Sequence, residues 1–192
     1  MAEAAQRYLE KQVVKSENFS KKILDDHSFT DCAFNSCDFS ESVLRNTKFS
    51  SCSFMNCNLS LTKLEGCSFQ GVQFVDCKMV GVEFFKCGKI FSANFKNSLL
   101  KYCNFSDLNM RNSTFNGSKL MESHFTNTIL NGADFSDVDL SGTIFHNCDL
   151  CKADFSSATH YHIDPQTNKI KKAKFSLPEA VGLLYGFDVT IV

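Results

Sequence analysis

The 192-residue chain has no tryptophan and only two prolines. Trp-centred packing and Pro-rich linkers are therefore excluded at once. It also lacks net charge: 20 basic residues against 21 acidic ones leave −1, so no overall field favours a nucleic acid or an anionic membrane. No apolar run is long enough to span a bilayer, and Met1 to Lys15 has no apolar centre of the secretory kind; the expected compartment is the cytoplasm. A nucleophile elbow, a phosphate loop and a carboxylate pair are all missing, so a non-enzyme with no cofactor is expected.

What is abundant is phenylalanine, 20 residues, and it is spaced regularly. From Phe29 to Phe84 every fifth residue is Phe, Leu or Met, and after one extra residue the pattern resumes at Phe95 and holds to Phe155. A helix repeats every 3.6 residues and a strand every two, so neither explains a period of five. Two places before almost every large residue sits a small one, such as Cys52, Thr47, Ser98 or Ala133. This is a tandem repeat.

A longer period sits on top of it. Phe34, Phe54, Phe74, Phe95, Phe115, Phe135 and Phe155 recur at twenty, with one interval of twenty-one. Phe29, Phe49 and Phe69 form a second set, and Leu44 with Leu64 a third. Four five-residue sides per coil follow, which gives an all-β, square, right-handed parallel solenoid of about seven coils and roughly 30 Å. Like side chains stack inside it, and the remaining three residues of each five face outward.

Nine of the ten cysteines, all but Cys151, take the small position, where they alternate with Ala, Ser, Thr and Val. That is a packing role rather than a disulfide framework or a zinc site. His160, His162 and Asp164 could face one way like metal ligands, but isolated histidines in a turn are far commoner, so no metal is assigned.

The chain divides into three. Residues 1–16 are an N-terminal cap or a frayed helix, with Ala5, Tyr8, Leu9 and Val13 on one side. Residues 17–175 carry the repeat, with a slip at 85–92 read as a bulge eased by Gly88, in which Ile90 is the displaced core residue and Phe85 and Phe91 pack locally over the bulge rather than mark a contact site. Residues 176–192 begin with a capping box, Ser176 to Glu179, predicting a short helix to about Tyr185 that Gly186 ends; the alternating tail after it reads as a strand. Helix and tail would plug the end of the solenoid.

Ala133-Asp134-Phe135-Ser136-Asp137 and Ala153-Asp154-Phe155-Ser156-Ser157 resemble the pentapeptide-repeat signature: small, Asp or Asn, Leu or Phe, then two variable residues. The resemblance implies the right-handed quadrilateral β-helix. Within that family the Phe column and C-terminal helix are most similar to the quinolone-resistance branch. That branch implies a homodimer joined through the C-terminal helix, acting on DNA gyrase and topoisomerase IV as a mimic of duplex DNA. Carried over, Leu177, Val181, Leu184, Val189 and Ile191 become dimer candidates.

The charges distribute unevenly: residues 1–102 sum to +2, 103–155 to −4 and 156–192 to +1. Asp134, Asp137 and Asp154 share one outer side, with Asp139 at the next corner, as an acidic partner surface. Ordinary solubilisation explains them equally, because Asp is common at that repeat position. Two functions stay open: a topoisomerase modulator, or a structural or adaptor solenoid for another protein.

Overall fold

The computed structural model describes residues 8–187 and residue 189. Fourteen short strands wind into a parallel solenoid, in which each pairs with a strand one coil away. Early strands such as β1 (Tyr8–Glu10) and β3 (Ser28–Thr30) are three residues long, whereas β7 (Ser68–Val75) runs through a corner and belongs to two sides. The register is the period of twenty: Val14 pairs with Phe34, Phe34 with Phe54 and Phe54 with Phe74. About eight turns result, one more than the repeat count suggests.

Half of the additional turn comes from the N-terminal end, and the rest from the last coil, where Phe155 pairs with Phe175. Tyr8–Glu10 and β2 (Val13–Lys15) are strands, not the helix or frayed terminus expected there. Leu9 and Val14 continue the five-residue column, Leu9 opposite Phe29 and Val14 opposite Phe34. Inter-coil hydrogen bonds and burial of these two side chains outweigh a weak helical pattern. The rest of the expected helix, residues 1–7, lies outside the described residues.

The corners explain the outward composition. Two residues after nearly every large side chain the backbone turns left-handed, with φ between 51 and 62° at non-glycine positions from Lys11 to Lys172. Asn, Asp and Gly adopt this conformation most readily, and they fill many corners. Where the corner closes as a tight turn, the N–H three residues on returns to the column carbonyl, as from Thr62 to Leu59 at 3.3 Å.

The small position does more than make room. Thr47 Oγ1 donates to the Leu24 carbonyl at 2.6 Å, Ser123 Oγ to Leu100 at 2.6 Å, and Cys148 Sγ to Phe125 at 3.1 Å. Thiol and hydroxyl are thus interchangeable as buried donors to the coil before. Burial pushes Cys52 up to about 11, and Cys67 and Cys103 up to about 12.

Inside, the Phe34 ladder stacks at centroid separations of 4.7 to 5.3 Å and continues beyond Phe155 to Phe175. Before the slip its neighbour is the Phe29–Phe49–Phe69 ladder on the adjoining side. Afterwards the second ladder, Phe84–Phe105–Phe125–Phe145, faces it edge-on across the core, as where Phe115 meets Phe125 at 5.8 Å and 89°.

The slip departs from expectation. Ile90 is 57% exposed, and Phe91, not Ile90, fills the core. A turn of 3₁₀ helix, Phe84–Lys86, carries the chain outward before it re-enters. Phe69 then pairs with Phe91 but Val72 with Ala93, one residue less far on, so the irregularity lies between Phe69 and Val72 in β7. The larger Phe91 ring packs edge-on against Phe69 and Phe84, closing the end of the old ladder. Gly88 serves close approach rather than an unusual φ: its N–H meets the Cys67 carbonyl at 2.6 Å, and a Cβ would lie 3.3 Å from that oxygen.

At the other end a 3₁₀ helix spans Glu179–Phe187. The capping box is not formed as expected, because the Ser176 hydroxyl donates to the Ser156 carbonyl one coil earlier. Leu183 turns toward the core. Of the expected terminal strand, Phe187 is helical, Val189 has no regular structure, and the rest lies outside the described residues.

Two outcomes follow from this packing. Phe115→Ala should destabilise by about 3 to 5 kcal/mol, read as a lower urea midpoint, whereas Phe115→Leu should remove about 1 kcal/mol. With an aromatic disulfide reagent at pH 8, Cys151 should react first and half-buried Cys87 slowly, while the eight buried thiols stay silent until denaturant is added.

Candidate functional site

The acidic residues occupy the place their spacing assigns. Asp134 and Asp154 are successive rungs of one outward column that runs from Thr114 through both to Lys174. Asp137 follows at the corner, with φ 57° and its N–H bonded to Ser157 Oγ at 2.9 Å. Asp139 stands on the next side, in register between Lys119 and Thr159.

Three of these carboxylates have structural employment. Oδ1 of Asp134, Asp139 and Asp154 accepts the N–H two residues on, from Ser136 at 2.8 Å, Ser141 at 3.1 Å and Ser156 at 3.0 Å. Asp38 does the same with Ser40, and Asn58 with Ser60, far from the acidic side. The bond is an Asx turn leading into the left-handed corner, which is the physical reason Asp or Asn recurs before the large residue.

Two of the four are also paired. Lys174 Nζ lies 2.7 Å from Asp154 Oδ2, and with Ser156 it holds that carboxyl down at about 2. Asp139 is pulled upward by partial burial, but its bonds to Ser141 and to His160 Nδ1, the latter at 3.1 Å, keep it below the usual range. Asp134 and Asp137 have no cation within ion-pair distance among the described residues. The acidic side is therefore shorter than its sequence suggests, and Lys174 closes it at the cap.

Next to it lies the apolar end of the molecule. Leu177 is 77% exposed on the approach to the final helix, and Leu184 and Phe187 are exposed on it. Val181 is half-buried, Val189 is exposed, and Ile191 lies outside the described residues. Phe187, which is not among the dimer candidates expected from the sequence, joins this surface because the helix extends past Gly186. Tyr161, Pro178, Glu179, Val181 and Gly182 line a shallow cleft between the last coil and the helix.

His160, His162 and Asp164 are not drawn together. His160 is engaged with Asp139, and Asp164 Oδ1 accepts the Gln166 N–H at 2.8 Å. Among the described residues no three ligating side chains form a metal cluster, and no helix is long and apolar enough to cross a membrane.

Comparison with known proteins bears on the fold. No curated protein matches the chain. A trypsin-treated variant of QnrB1, described as a plasmid-mediated fluoroquinolone resistance protein, superposes with a TM-score of 0.60 at 20% identity, over 96% of this chain and 89% of that one. HetL, a pentapeptide repeat protein of the cyanobacterium Nostoc sp. strain PCC 7120 involved in heterocyst differentiation regulation, gives 0.47 at 15% identity, over 91% and 90%. The model of the pentapeptide repeat region matches residues 27–105 and 47–125, and that of pentapeptide repeats in eight copies matches residues 118–156. On repeat, register and sequence model together, the chain belongs to the pentapeptide-repeat family.

Proposed function

We propose that the chain is a non-enzymatic, cytoplasmic protein-binding solenoid that dimerises through its C-terminal end and modulates a type II topoisomerase, DNA gyrase or topoisomerase IV. The observation that carries this reading is the succession of two surfaces toward one end of an unbranched rod: the exposed Leu177, Leu184 and Phe187 at the cap, and two coils before it, past the Asp154–Lys174 pair, Asp134 and Asp137 free of cations among the described residues. Joining two copies there would set two acidic sides end to end. Such a dimer would present a longer polyanionic rod than either chain alone, the arrangement a mimic of duplex DNA requires. QnrB1's description as a fluoroquinolone resistance protein fits the same reading.

A second reading, an adaptor solenoid for some other protein, draws on a specific fact. The carboxylates at Asp134, Asp139 and Asp154 are used in Asx turns that also occur where no acidic side exists. Their presence needs no partner.

Three measurements separate the readings. In a gyrase supercoiling assay with and without a fluoroquinolone, micromolar protein should alter either supercoiling or drug-induced cleavage; no change removes the topoisomerase reading. Asp134→Lys with Asp137→Lys should weaken any effect tenfold or more, whereas Lys174→Ala, which frees Asp154, should strengthen it. In sedimentation velocity, Leu184→Glu with Phe187→Glu should convert a dimer to monomer without lowering the melting temperature by more than a few degrees.

A further inference from the structure

The left-handed corners are almost all occupied by Asn, Asp, Gly, Ser, Lys, Glu or His. Leu61 and Tyr102 are the exceptions among the described residues: large apolar side chains held at φ 58° and 57°. Bulky residues adopt that conformation only against a conformational penalty that Asn or Gly avoids. Burial does not compensate, since they are 55% and 51% exposed. Two positions are thus unfavourable for both backbone and solvation, and they share one corner column, with Leu61 N–H bonded to Val80, Gly81 N–H to Lys101 and Tyr102 N–H to Met121 in successive coils.

Between them is Gly81. A Cβ there would come within 2.9 Å of Leu61 Cδ2, so Leu61 leans over Gly81 and takes the space that a side chain there would need. Tyr102 borders the other side and is held by Lys101, whose Nζ sits 4.6 Å from the ring centroid and 3.5 Å from Glu122. On the adjoining flat side Leu99 lies in register between Lys78 and Lys119. Both lysines are exposed and have no ion-pair partner among the described residues.

We infer that this corner is a docking surface for an acidic amphipathic helix of a partner protein. Strand addition is unavailable, because the N–H and C=O groups of this side are already bonded to the coils before and after it, so recognition must be through side chains. Leu61 and Tyr102 stand two coils apart, about 10 Å by strand spacing, which matches the roughly 10.5 Å between residues i and i+7 of a helix. A helix laid along the rod places its apolar residues against Leu61, Tyr102 and Leu99. Lys78 and Lys119 select acidic residues on its flank. Tyr is a residue type on which binding energy concentrates when a partner covers it. The surface stands on the protein-binding reading of the chain but not on topoisomerase, so a null supercoiling result leaves it in place.

The test uses the full chain and a fluorescent synthetic helical peptide of about 20 residues, with leucines at i, i+3 and i+7 and glutamates on the flanks. Two control peptides have lysine in place of glutamate, or the same composition with dispersed leucines. Anisotropy should show micromolar binding of the acidic peptide and at least tenfold weaker binding of both controls. Leu61→Asn with Tyr102→Asn should weaken it at least tenfold while the melting temperature holds or rises, since Asn suits the corner. Gly81→Asn, whose Cβ would displace Leu61 while the backbone stays left-handed, should also weaken it. Absence of binding at about 1 mM peptide, equal binding of the lysine peptide, equal binding by the variants, or a clear fall in the melting temperature of the Asn variants would each overturn the inference.

Discussion

Everything in this molecule depends on the closeness of one coil to the next. Parallel strands stack about 4.8 Å apart, and at that distance a side chain meets its own counterpart one turn away before it meets anything else. A flat ring fits such a stack better than a branched aliphatic chain does. The Phe34 to Phe175 ladder is the consequence, with centroids 4.7 to 5.3 Å apart along its length. The second ladder has to lie where its edges meet the faces of the first. After the slip it does so from the opposite side, at angles near 90°. The slip is therefore where one core cross-section gives way to another, and Phe91, turned edge-on, closes the ladder that ends there.

The same closeness governs the outside. A residue at a given position faces the residue one coil away, so charges and amides form vertical columns. Arg45 meets Asp25 at 3.1 Å, Lys101 meets Glu122 at 3.5 Å and Lys174 meets Asp154 at 2.7 Å, each across one coil. Amides chain likewise, from Asn147 to Asn127 and on to Asp107. Exposed pairs of this kind contribute little to stability. They do decide what an approaching partner meets.

The column, the period and the position of the slip could be read from the chain because each is written in residue choice at fixed spacing. Ile90 could not be distinguished from Phe91 that way. Both are large and apolar, and which enters depends on how many residues the 3₁₀ turn at Phe84–Lys86 consumes. The strands at Leu9 and Val14 were hidden for a different reason. The small positions two places before them hold Arg7 and Gln12, so the repeat signature is lost although the column persists. The double duty of the small position was hidden too: Cys, Ser and Thr resemble one another in size, and only the carbonyls they reach, such as Leu24, Leu100 and Phe125, show them to be donors. At the cap, Ser176 satisfied the pattern of a capping residue, but its hydroxyl is turned to donate to the Ser156 carbonyl one coil away.

An acidic residue in this fold cannot be read from type alone, since Asp before the large residue is what an Asx turn into a left-handed corner asks for. Its availability depends on the column above and below it. Asp154 has Lys174 over it and Asp134 does not, so two residues with the same local bond to serine differ in the field they present. Leu61 and Tyr102 invert that logic, because neither corner geometry nor solvation favours them. In a repeat whose backbone demands are identical at every corner, a residue that satisfies the demand is uninformative about activity, and one that violates it is the better guide to where another molecule binds.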